Sequence, residues 1–179
     1  MTNFGSVPNS GGARPSQEGL SLVELLIVVA IILIIAAIAI PTLLRSKMAA
    51  NEANAVQTLR TVVTASVTYA STYGNGYPPT LQNLGGSGAP ANCAAAALVD
   101  PTIAAPPFQK SGYTFAYTML NANSNPAPGC SAAGGNSFTA TAIPIIPGTT
   151  GQRSFFVDPT GVIRANPAGG QPTVNDQPI

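Results

Sequence analysis

The sequence predicts an α+β protein: one long N-terminal helix, transmembrane in its first half, packed against a small antiparallel β-sheet of three to four strands. Three observations predict it. Residues 20–40 form an apolar run with a single charge, Glu24. Apolar side chains then recur at Leu59, Val62, Val63, Tyr69, Ala70 and Tyr73, close to a 3.6-residue period, until Gly74. After Gly74 the pattern shifts to a period of two between turn residues.

Composition narrows the function. Of 179 residues only 7% are charged, and seven Lys and Arg against six Asp and Glu leave a net charge of +1. A nucleic-acid groove needs a basic stripe, and none is present. The chain has no His, the commonest general base and metal ligand. Its acids, Glu18, Glu24, Glu52, Asp100, Asp158 and Asp176, are scattered singly. No nucleophile–base set, metal site or cofactor motif is legible, so an enzyme is not expected.

The apolar run comes first. Leu20 to Ile40 spans roughly 31 Å as a helix, about one bilayer core. A core helix of a soluble domain seldom stays apolar on every face for so many turns. A secretory signal is a second alternative, since "AIAIP" offers cleavage after Ala39 and would release a secreted binding protein. A signal h-region, however, is usually shorter and follows positive charge. Flanking charge does not fix topology. Arg45, Lys47 and Arg60 outnumber Arg14 and would place the C-terminal side in the cytoplasm, against an exported reading of the cysteines.

Glu24 is the anomaly, because an unpaired carboxylate at the bilayer centre costs about 2.5–3.5 kcal/mol. The stretch "GLSLVELLIVVAIILIIAAIAIP", residues 19–41, resembles the class III signal and N-terminal helix of type IV pilins and type II secretion pseudopilins. The segment "LLIVVAII", Leu25 to Ile32, matches that family residue for residue. Leu20 stands where the family often has Phe, and Leu33 where it often has Gly.

The resemblance implies a leader, residues 1–19, cut after Gly19 by a prepilin peptidase that also N-methylates Leu20. It implies an assembly helix over 20–41, kinked at Pro41, and a membrane-embedded, single-pass precursor taken up by an inner-membrane assembly platform. Subunits would then form a homo-oligomeric helical filament, extracellular or periplasmic. Glu24, one turn from the new amino terminus, would pair with the free amine of a neighbouring copy and set the axial register. The simpler reading is that Glu24 complements the helix dipole. A pilus would serve adhesion, motility or DNA uptake, and a secretion pseudopilus is the alternative.

Residues 42–73 read as the amphipathic second half of the helix, bringing the whole to roughly 80 Å. Arg45, Lys47 and Glu52 form a charged collar, either solvated or paired between subunits. Gly74, Gly76 and Pro78 end the helix.

Residues 74–165 read as a β-rich head. "YPPTLQNL" suggests one helical turn, and the Ala-rich segment from Asn92 to Asp100 a short helix. "GYTFAYTML", from Gly112, and "SFTATAIPII", from Ser137, alternate as strands. In "SFFVDPTGVIRA", Asp158, Pro159 and Gly161 suit a type I turn between two strands. An even pair of cysteines in an exported segment, Cys93 and Cys130, reads first as a disulfide, with free thiols or a metal site as alternatives. Residues 166–179, rich in Gly, Pro, Asn and Gln, read as a flexible tail.

Overall fold

A computed structural model describes residues 21–86 and 90–179 of the chain. It divides into two compact units, residues 1–40 and 41–179. The described part of the first is a single stretch of helix, the opening of α1, which spans Leu22–Tyr73 with Pro41 inside it.

The second unit is the globular head. Along α1 the residues that turn inward are Ala55, Leu59, Val62, Ala65, Ser66 and Tyr69, at the alternating three- and four-residue steps that keep one face inward. This stripe meets one face of a six-stranded antiparallel meander ordered β1-β2-β3-β4-β5-β6. The strands are β1 Gln109–Lys110, β2 Tyr113–Ala122, β3 Gly135–Pro144, β4 Ser154–Val157, β5 Arg164–Asn166 and β6 Gln177–Pro178. A single 3₁₀ turn, Leu81–Leu84, and a short helix, α2 Pro101–Ala104, lie between α1 and the sheet in sequence.

Alternation decides which side chains face the helix. On β2 these are Tyr113, Phe115 and Tyr117; across from them on β3 stand Pro144, Ala142 and Ala140. Large residues on one strand oppose small ones on the next, which leaves room for a helix to approach. Phe155 and Val157 of β4 pair with Ala142 and Ala140 and complete the floor of the core. Every residue of β4 is buried. It is an interior strand, paired with β3 on one side and β5 on the other.

Two turns follow from local chemistry. Ser111 and Gly112 both have positive φ, 50° and 76°, the backbone of a two-residue hairpin loop joining β1 to β2. The Asp158–Gly161 turn forms as its sequence predicts. The Gly161 N–H donates to the Asp158 carbonyl at 3.0 Å, and the Thr160 N–H donates to Asp158 Oδ1 at 3.0 Å.

The two outer edges of the sheet are short or limited by proline. At one edge β1 is only two residues long, and the Phe115 N–H of β2 reaches past its end to the Phe108 carbonyl at 2.8 Å. At the other edge the Ile179 N–H points inward to the Ile163 carbonyl at 3.0 Å, which turns the outward position of β6 to Pro178.

Three sequence readings need correction. The sheet has six strands rather than three or four, because β1 and β6 are two residues long and carry no periodicity to read. The Ala-rich segment after Asn92 is not helical. The Asn92 side chain accepts the Ala94 and Ala95 N–H groups at 2.8 and 3.0 Å and folds the chain into a tight turn. Asp100 instead caps α2, accepting the Thr102 N–H at 2.9 Å. Residues 166–179, read as a tail from composition, close onto the sheet through β6 and an Arg164 Nη1 bond to the Asp176 carbonyl at 3.2 Å. Composition counts apolar side chains, whereas this segment is held by main-chain groups.

Candidate functional site

The candidate site is the amino-terminal stretch of α1. Its apolar side chains are exposed on all sides: Leu22 at 77%, Ile34 at 65% and Ile38 at 70%. Nothing within the described part of this unit covers them. Among the described residues α1 is the one helix long and apolar enough to cross a membrane. Water-exposed apolar area on this scale is strongly unfavourable, so a lipid phase or other apolar partners must cover it.

Glu24 stands in the first turn. The Ser21 N–H donates to Glu24 Oε2 at 3.2 Å, and the Leu25 N–H donates to the Ser21 carbonyl at 3.1 Å. The carboxylate therefore reaches back one turn to an otherwise orphaned N–H, as the acid of a capping box does. Ser21-Leu22-Val23-Glu24 fits that spacing, a signal present in the sequence that the dipole reading only approached. Glu24 is exposed and accepts no hydrogen bond from a cation among the described residues. Gly19 and Leu20, the expected cleavage and methylation positions, lie outside the described residues. Pro41 lies within α1, which stays helical on both sides of it.

The collar does not form as expected. Arg45 and Lys47 are exposed, but Glu52 is buried in the head and belongs to a different structure. Its Oε1 accepts the Gln152 and Arg153 N–H groups at 2.8 and 3.1 Å, and its Oε2 accepts Arg153 Nε at 2.8 Å. Burial works to raise the Glu52 pKa, but the two backbone donors and the guanidinium outweigh it and hold the carboxyl below its ordinary value. Next to it, Asn51 Nδ2 donates to the Thr150 carbonyl at 2.8 Å. Tyr113 Oη donates to the Arg153 carbonyl at 2.7 Å. Together these bonds fasten the β3–β4 connection to α1. Sequence offers no sign of it, since Glu52 and Arg153 are 101 positions apart.

Cys93 and Cys130 form a disulfide with Cα atoms 5.3 Å apart. The Cys93 carbonyl accepts Tyr69 Oη at 2.9 Å and Asn83 Nδ2 at 3.0 Å, which ties the bond to α1. On the Cys130 side, Asn75 binds the loop before β3 at three points. Its Nδ2 donates to the Ala132 carbonyl at 2.9 Å, its Oδ1 accepts the Ala127 N–H at 2.9 Å, and its carbonyl accepts Asn123 Nδ2 at 3.0 Å. Among the described residues no group of three or more His, Cys, Asp or Glu is placed to hold a metal ion.

Residues 14–40 match a family model described as the prokaryotic N-terminal methylation motif. No curated protein and no solved structure is matched by the chain. An apolar helix exposed on every side, an acid in its first turn and this motif agree with one another: the chain carries at its amino terminus the class III signal motif of type IV pilin and pseudopilin precursors.

Proposed function

We propose that the chain is the structural subunit of a type IV pilus-like filament, cut after Gly19, N-methylated on Leu20 and polymerised through the helix that follows. The observation that carries this reading is the unsheathed apolar start of α1 with Glu24 in its first turn. Such a surface is satisfied by lipid before assembly and by sister helices after it. In either setting the carboxylate gains by meeting a cation, and the free amine of a processed neighbour supplies one. A head fastened by a disulfide and by Asn75 favours a pilus over a secretion pseudopilus, because it keeps long loops in place on a surface-exposed fibre.

Glu24 has two separable roles, and two substitutions separate them. Gln at this position can still accept the Ser21 N–H but carries no charge; Ala loses both. Both variants are expected to insert in membranes, and both are expected to lose filaments by electron microscopy. Normal filaments from Glu24→Gln would leave Glu24 as a helix cap alone. Mass spectrometry of the mature amino terminus checks processing: a start at Leu20 supports the filament, and a start at Ile40 supports a secreted protein.

A further inference from the structure

The two margins of the sheet differ. At the β6 margin Pro178 has no N–H to give. At the other, β1 pairs only with Tyr113 and Thr114, and the Phe108 carbonyl then takes the N–H of Phe115 at 2.8 Å. β2 runs on to Ala122. In an antiparallel strand the main-chain groups of every second residue point to the same side. Phe115 points outward, so Tyr117 and Met119 do as well. Their outward N–H and carbonyl groups have no partner among the described residues. Asn121, at a φ of 52°, ends the run, and the Asn123 N–H turns back to the Gly134 carbonyl at 2.8 Å.

Such an edge is usually blunted by a lysine, a proline or a covering segment. Residues 116–120, Ala-Tyr-Thr-Met-Leu, carry neither charge nor proline. A notch of about 330 Å³ lies beside them. Its walls include Phe115, Ala116 and Tyr117, and three successive residues of a strand meet one cavity only along the strand's side. Leu81 and Phe108 help to close it, and no charged residue lines it. Further along the run, Leu120 is 40% exposed.

A row of alternating free donors and acceptors fits an extended main chain, and the same strand of a second copy fits it in one register. Antiparallel pairing of Tyr117 with Met119 of the copy, and of Met119 with Tyr117 of the copy, uses every free N–H and carbonyl on both strands. Centring the pair on Tyr117 sets Met119 against Phe115, whose N–H is already taken. Centring it on Met119 sets Tyr117 against Asn121, where the run ends. In the register that satisfies all groups, Thr118 lies opposite itself and Leu120 lies opposite Ala116, a large side chain against a small one at the notch. No like charges meet.

We propose that the open edge of β2 is a two-fold docking site for a second copy of this chain, the two β2 strands pairing antiparallel about Thr118 with Leu120 of each seated against Ala116 of the other. The contact lies wholly within the head and needs neither the membrane span nor the filament.

The native cysteines are bonded to each other, so one introduced cysteine is the one free thiol of the chain. Single-cysteine variants of the full-length chain are oxidised in detergent and resolved on a non-reducing gel. Thr118 faces its own copy with Cα atoms about 4.5 Å apart, within disulfide reach. Thr118→Cys is expected to cross-link at least about tenfold faster than Leu120→Cys, whose counterpart lies roughly 14 Å away along the strand. Mixing Leu120→Cys with Ala116→Cys is expected to restore the fast rate. Thr118 is exposed, so Thr118→Lys leaves the fold intact and sets like charges together in the pair. Hydrogen exchange at Tyr117 and Met119, slow in the wild type, is expected to speed up at least about tenfold in Thr118→Lys and to slow again on mixing with Thr118→Glu. Equal cross-linking at 118 and 120 means chance collision and overturns the proposal. Fast exchange at Tyr117 and Met119 in the wild type means that no second strand is there, which overturns it as well. Slow exchange at both residues in Thr118→Lys means that the chain's own residues cover the edge, with the same consequence.

Discussion

Replacing Glu52 with Ala removes the acceptor of three hydrogen bonds at once. Two of the donors are backbone N–H groups, and bonds to a charged acceptor contribute roughly 1.5–3 kcal/mol each. Some of that is recovered when water enters the space, so the two together are counted at about 2.5 kcal/mol. The third donor, on Arg153, is 44% exposed, and its pairing is discounted to about 0.5 kcal/mol. The expected loss is about 3 kcal/mol. In a domain of about 140 residues this lowers Tm by roughly 10 °C. The assay is thermal unfolding of the full-length chain in detergent, followed by the near-ultraviolet signal of its tyrosines, across pH.

The sign of the pH dependence follows from the lowered pKa of Glu52. Its carboxyl holds its proton less tightly folded than unfolded, so the unfolded chain binds more protons in acid. The stabilisation is present above the ordinary value of 4.5 and is lost as pH falls through the lower folded value. The wild type and Glu52→Gln are expected to differ at pH 7 and to converge below pH 4.5. Melting of Glu52→Ala at the wild-type temperature, or a gap between wild type and Glu52→Gln that does not change with pH, would refute the assignment of Glu52 as the clamp on the β3–β4 connection.

Three further outcomes are expected. Replacing both Cys93 and Cys130 with Ser removes a link across 37 positions, worth up to about 4 kcal/mol by chain entropy; reductant should lower the Tm of the wild type equally, and an unchanged Tm in both would remove any stabilising role. Asn75→Ala leaves the Ala127 N–H and the Ala132 carbonyl unpaired, at a cost of about 2–3 kcal/mol, and hydrogen exchange at Ala127 should accelerate while that of β4 in the sheet interior changes least. A Cβ at Gly151 would run into Tyr113 Oη, so Gly151→Ala should push the ring from its bond to Arg153 and lose about 1–3 kcal/mol; it should add less than its full loss to Tyr113→Phe if the hydroxyl is what it displaces.

Much of the architecture is readable before any coordinates, for identifiable reasons. The alternation of Tyr113, Phe115 and Tyr117 announces β2, because a period of two has one interpretation when one face must be buried. Asp158, Pro159 and Gly161 announce their turn because each residue type suits its own position. The long helix is legible from its apolar run and the 3.6-residue period that follows it. What escapes is whatever depends on distant partners. Gln109, Lys110, Gln177 and Pro178 become strands only because a neighbour is there to pair with. The alanines after Asn92 favour helix by propensity, but the Asn92 side chain and the bond to Cys130 decide otherwise. At the candidate site, Glu24 is conspicuous because its surroundings are apolar. Glu52 is inconspicuous for the opposite reason: it stands among Asn and Ala residues, and the arginine it meets is remote in sequence.

The proline at the β6 margin of the sheet bears on how the head behaves at high concentration. A bare strand margin invites a neighbour's backbone to zip onto it, and such growth is hard to reverse. Pro178 at the β6 margin withholds the amide hydrogen that zipping would use. A second copy that approaches this margin must then touch it through side chains, and contacts of that kind come apart more readily than a shared ladder.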